Sequence, residues 1–162
     1  MPAQNGVDEP ERAELGAKPA CMQPLDLTVA PPRAPRESLA GVVFLPRTID
    51  KVRATLPGGA LGAYNIPGFS EMLLEALGIE LDDFRAAVAD AANDEAVAAF
   101  VNASTSAGRV EKWNALVLAR LPRNGDRNAA YEAYPWLRGR PDLVLALDVL
   151  EEDDRQHFAQ RR

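Results

Sequence analysis

An all-α fold follows from three features of the sequence. Apolar residues make up 47% of the chain and aromatics only 6%, so the core rests on Leu, Val, Ile and Ala, beside 26% charged residues. That is the composition of a helical protein. Apolar residues recur at offsets of three and four, the spacing of one helical face. Residues that cap or stop helices stand between these runs. The length of 162 residues suits one compact multi-helix domain. We expect about six helices behind an extended proline-rich N-terminal strap.

Residues 1–24 hold four prolines, two glycines and four acids against two bases, with no repeat at helical or strand spacing. They read as a disordered leader. Over 25–36, Pro31, Pro32 and Pro35 are spaced by basic residues. Proline fixes φ and removes donors, so this stretch is expected to lie extended across the domain, docked through Leu25, Leu27 and Val29. The run LAGVVFL at 39–45 suits a buried helix turn or a strand; with no second strand in sight, the helix is favoured.

Residues 46–56 form the first clear helix. Pro46 suits its opening position, Leu45, Ile49, Val52 and Leu56 share one face, and the Pro-Gly-Gly at 57–59 ends it. A loop, GAYNIP, occupies 62–67. Further helices are expected at 69–77, closed by Gly78; at 81–91, with Asp82 and Asp83 at the positive end of the dipole; at 93–103, capped by Asn93; and at 106–121, capped by Thr105 or Ser106. Trp113 lies on the apolar face of the last of these, its ring N–H requiring a partner, and Asn114 next to it faces either a ligand or water. Two more helices are read at 129–137 and 141–151. The charged end beyond 151 frays, so the domain spans 25–155 and leaves 156–162 outside it.

The net charge of −6 argues against a general nucleic-acid binder. Helix-turn-helix recognition is disfavoured too, because the helices around Gly78 are acidic. No apolar run reaches the roughly 18 residues a membrane helix needs, and the N-terminus has no secretory signal pattern. A single cysteine, Cys21, precludes an internal disulfide and suits the cytoplasm. His157 is the only histidine, in the fraying end. Zinc sites and Cys–His or Ser–His–Asp catalysis are therefore excluded. The acids between 82 and 95 lack the alternation and central glycine of a calcium loop, and there is no phosphate loop or GxGxxG. No metal site or cofactor is expected.

Asp26-Leu-Thr, the Pro31-Pro-Arg-Ala-Pro-Arg run, LPRTIDKVRA at 45–54 and the Phe69…Leu77-Gly78-Ile79 helix end resemble a small bacterial family, the domain of unknown function 5069. The Trp113-Asn114 pair and the last apolar helix resemble its longer members. The resemblance covers most of the chain beyond the leader and implies a helical architecture, with no activity attached. The chain departs from it at Gly62-Ala63-Tyr64, where relatives carry a Gly-Glu-Tyr stretch, so any role of that acid does not transfer.

Charge is unevenly laid out. Residues 31–56 carry five bases against two acids, 71–101 eight acids against one base, and 109–127 five bases against two acids. The functional reading is a basic cleft in which Arg33 and Arg36 of the strap meet Arg47 at a helix N-terminus to hold a small anion, phosphate or carboxylate, or an acidic protein surface. The alternative is that these arginines pair with Glu71, Glu75 or Asp82 and only fix the strap. Asp50 shares a face with Arg47 and Arg53 and reads as a brace more readily than as a base. Lys51 adds charge to this face. Tyr64 and Asn65 sit in the loop, where binding groups are often carried, although Asn65 also suits a turn. The candidate ligand-binding set is therefore Arg33, Arg36, Arg47, Asp50, Lys51, Tyr64 and Asn65. A non-catalytic binding or interaction domain is the preferred reading; a metal-free enzyme using Asp50, Arg47 and Tyr64 on a small anion is the alternative.

Overall fold

The computed structural model describes residues 20–161. Within them the helical periods become α1 (Leu45–Arg53), α2 (Phe69–Leu77), α3 (Leu81–Asp90), α4 (Asp94–Ser104), α5 (Ala107–Ala119), α6 (Arg127–Ala133) and α7 (Ala146–Ala159). Short 3-10 turns at Pro122–Gly125 and Pro135–Gly139 flank α6. The expected caps are in place. The Asn93 side chain accepts from the Ala96 N–H to open α4, and Ser106, rather than Thr105, accepts from Arg109 to open α5. Gly78, at φ 73°, closes α2 in the left-handed conformation that glycine tolerates best.

The 39–45 run is not helical. Ser38–Leu39 (β1) pairs antiparallel with Val42–Val43 (β2) around Ala40 and Gly41, both at positive φ (51° and 76°). Such a turn suits the twist of a two-residue hairpin, and the partner strand lies inside the run itself. The hairpin is held from outside as well. Trp113 Nε1 donates to the Val43 carbonyl at 2.8 Å, and Asn114 accepts from Val43 N–H at 3.0 Å while donating to Gly41 O at 2.7 Å. Trp113 is thus core, and Asn114 is committed to the hairpin rather than to a ligand or to water.

The C-terminal boundaries also differ from expectation. Pro135 has no N–H to continue a helix, so α6 stops at Ala133 and a 3-10 turn carries residues up to Gly139. The last helix starts at Ala146, whose N–H bonds the Arg120 carbonyl at 2.8 Å. It does not fray after 151 but runs to Ala159, with Glu152 and Asp154 buried. The charged end is ordered because its acids meet arginines from other elements.

The main core joins Phe44, Leu45, Ile49 and Val52 to Leu73, Leu77, Phe84, Val97, Trp113 and Leu147. A smaller cluster of Ala130, Leu137 and Val149 lies under α6. Residues 25–36 dock on the domain, but turns and bends at 27–30, 33 and 35–36 replace the expected extended course: Leu27 N–H bonds Ala60 O at 2.8 Å, Pro32 and Pro35 are buried, and Arg33 N–H bonds Asp50 Oδ2 at 2.8 Å. Of the strap's apolar members only Leu27 is fully buried, and Val29 is 73% exposed. Most of the expected leader lies outside the described residues. Its last part belongs to the domain: Met22 packs on the core and its N–H bonds Ala91 O at 2.8 Å. No helix of the described residues is long and apolar enough to cross a membrane.

Candidate functional site

Helix α1 carries four charged residues, Arg47, Asp50, Lys51 and Arg53. Asp50 faces the strap, where it takes a bidentate bond from Arg33 (Nη2 at 2.8 Å, Nε at 3.0 and 3.1 Å). Arg33 also reaches Asp94 at the start of α4. Burial works against the Arg33 charge, but the bonds and field of Asp50 and Asp94 outweigh it and hold the guanidinium well above its ordinary pKa. Asp50 is therefore a brace, for Arg33 and, at 3.8 Å, Arg53. Arg36 pairs with Asp148 of α7 at 2.6 Å.

One turn before Lys51 on the same helix, Arg47 also meets the strap and reaches past it to α7. Its guanidinium is buried and grips Asp154 of α7 with two bonds of 2.7 and 3.0 Å, and it donates to Arg33 O at 3.1 Å. Tyr64 donates its hydroxyl to the same Asp154 at 2.7 Å. Burial first, then that bond and the Asp154 charge, raise the Tyr64 pKa, so the phenol stays protonated. Lys51 is 7% exposed, and its ammonium lies 5.6 Å from the Phe44 ring centre with no carboxylate within ion-pair distance among the described residues. Burial, with the Arg47 charge adding and Asp154 opposing, lowers its pKa to about 8.

The predicted residues thus fall into separate groups. Arg47 and Tyr64 converge on Asp154, with Lys51 beside Arg47 at the Phe44 ring; Arg33 and Asp50 form a second pair, joined to Arg47 through the Arg33 carbonyl; Arg36 goes to Asp148; Asn65 stands apart. The arginines do pair with acids, but with Asp50, Asp94, Asp148 and Asp154 rather than with Glu71, Glu75 or Asp82. Asp50 and Tyr64, paired in the enzymatic alternative, share no partner. Every guanidinium of the expected anion cleft is already neutralised by a carboxylate.

Asn65 opens a different place. It lines a groove of about 390 Å³ with Phe69, Arg120, Arg123, Asn124 and Tyr134. No Asp or Glu lines this groove, and neither Arg120 nor Arg123 makes an ion pair among the described residues. Arg120 is held by Asn124 Oδ1 at 2.6 Å and by the face of Phe69 at 5.8 Å. The turn behind them is left-handed at two non-glycine residues, Arg123 (φ 48°) and Asn124 (φ 57°), before Gly125. Such backbone costs of order 1 kcal/mol per residue. Tyr134 has its pKa raised, by burial first and then by the Asp153 charge, so it offers a hydroxyl donor. Phe69 packs against Phe44 with ring centres 5.5 Å apart and planes tilted by 38°, and Phe44 in turn lies under Arg47 and Lys51. Cations and rings alternate from the buried cluster out to the groove.

Residues 29–156 match the family described as Domain of unknown function (DUF5069). The chain belongs to that family. The DUF5069 match takes in the strap from Val29 onward, the Arg47–Asp154 cluster and the groove, and begins three residues after Asp26. A comparison with the curated proteins finds no match. Arg120, Arg123, Asn124 and Tyr134 escape a reading of the DUF5069 sequence centred on the strap. The signal that points to them is the basic excess of residues 109–127, together with the Pro-Arg-Asn-Gly turn.

Proposed function

We propose that this protein is a non-catalytic binding domain of the bacterial cytoplasm whose anion-accepting surface is the groove between the 62–68 loop and the 120–124 turn. One observation carries this reading. Arg120 and Arg123 face a groove with no carboxylate in its lining, whereas the strap arginines are all paired. An unneutralised guanidinium pair beside two amides and a phenol is a set of donors for a carboxylate or phosphate. The other wall is apolar, with Phe69, Met72, Val149 and Leu150, which favours an organic anion over inorganic phosphate.

The reading also accounts for the turn at Arg123 and Asn124. Strained backbone persists where surrounding structure holds it, and here it sets both side chains at the groove mouth. Lys51, held at Phe44 with no carboxylate of its own among the described residues, adds positive potential without touching the ligand.

Calorimetric titration with phenyl phosphate tests it. Saturable binding by the wild type, lost in Arg120→Met with Arg123→Ala and kept in Arg36→Ala, is the expected result. Binding that survives the double substitution, or that disappears in Arg36→Ala, overturns it.

A further inference from the structure

A second surface lies across the Leu121–Pro122 ridge from the anion groove. It is a slot of about 180 Å³ whose walls include Leu121, Leu137, Leu143 and Val144, with Tyr131 and Arg127 at its edge. Leu121 is 47% exposed and Val144 52%, so an apolar floor reaches solvent where neither residue covers another. At the edge two cations meet one ring. The Arg127 guanidinium carbon is 5.6 Å and that of Arg138 5.2 Å from the Tyr131 ring centre. Arg127 also donates to the Tyr131 hydroxyl at 2.9 Å.

Neither guanidinium has a carboxylate partner among the described residues, although the next arginine, Arg140, is fully engaged by Asp142 and Glu152. Two guanidiniums held at one ring without a carboxylate of their own offer charge-assisted hydrogen bonds to arriving carboxylates. The slot beside them is the size of one large side chain and is apolar. Apolar anchor and paired arginines together are the features that dominate interface energy.

We infer that this slot docks an acidic segment of a partner protein, which inserts one large apolar side chain beside Leu121 and Val144 and places adjacent carboxylates on Arg127 and Arg138. Charge complementarity selects the occupant: an apolar side chain alone leaves both guanidiniums unanswered, and a small anion alone leaves the apolar floor wet. The anion groove is not required for this contact, since the arginines and the slot walls differ from the groove's except at the shared ridge.

The test is selection of random short peptides against the full chain, followed by fluorescence anisotropy of the enriched peptides. Enriched sequences are expected to carry a large apolar residue next to Asp or Glu. Their affinity should fall by at least tenfold in Arg127→Glu with Arg138→Glu and, independently, in Val144→Asp, and hold in Arg36→Ala. Val144 is exposed, so its substitution reports on docking even where the double charge reversal lowers stability. No enrichment, enrichment without acids, or equal binding by the variants overturns the inference. So does binding that emerges only when Asp8, Glu9, Glu11 and Glu14 are all changed to Ser, which assigns the slot to this chain's own N-terminal segment. A dimer in light scattering that Val144→Asp dissociates assigns it to a second copy, and overturns the inference likewise.

Discussion

Asp154 carries two tasks at once, since it neutralises Arg47 and accepts from Tyr64 inside the fold. Asp154→Ala leaves a buried guanidinium uncompensated and is expected to cost about 3–5 kcal/mol in urea unfolding. Arg36→Ala breaks a half-exposed pair and should cost under about 1 kcal/mol. Lys51 behaves in the opposite sense. Its pKa falls from 10.5 to about 8 on folding, so below pH 8 both states carry the proton and the whole burial penalty is present. Between pH 8 and 10.5 the native state releases its proton first and stability rises. Lys51→Met should therefore stabilise the protein by roughly 2–3 kcal/mol at pH 7, and the gain should shrink as pH is raised through this window. Thermal melts of both proteins from pH 7 to 10 measure it; a gain that does not vary with pH contradicts this origin.

The hairpin and the last helix separate what local sequence specifies from what the rest of the chain decides. Helices α2 to α5 are legible because period, cap and stop signals agree within a few residues of one another. The β1–β2 hairpin is not, since two-residue strands carry no alternation to read and depend on Trp113 and Asn114 some seventy residues away. The onset of α7 depends on a bond from Ala146 to Arg120, and its full length on Arg47 and Arg140 receiving Asp154 and Glu152. Nothing local marks those acids as buried. Ala40 sits at φ 51° and is exposed, so Ala40→Gly should stabilise by about 0.5–1 kcal/mol. Asn114→Ala removes two of the three side-chain bonds to the hairpin, leaving that of Trp113, and should cost about 1–3 kcal/mol, with faster hydrogen exchange at Val43.

Across the described residues, acids and bases are distributed so that the arginines of one basic stretch are paired with carboxylates and those of the other are not. The excess over 31–56 closes on Asp50, Asp94, Asp148 and Asp154, which fastens strap, α1, α4 and α7 together. The excess over 109–127, extended by Arg138, stays largely unpaired among the described residues and borders both the groove and the slot. Both excesses are visible in the sequence. Which one is free is not, because each pairing joins residues up to 112 positions apart. Nitrogen-15 NMR at pH 7, following backbone and arginine side-chain signals during titration with phenyl phosphate, tests the division most directly. Saturable shifts centred on Asn65, Arg120, Arg123 and Asn124, with the Arg33, Arg36 and Arg47 signals unmoved, are the predicted result. Shifts centred on the strap arginines, or none at all, contradict it.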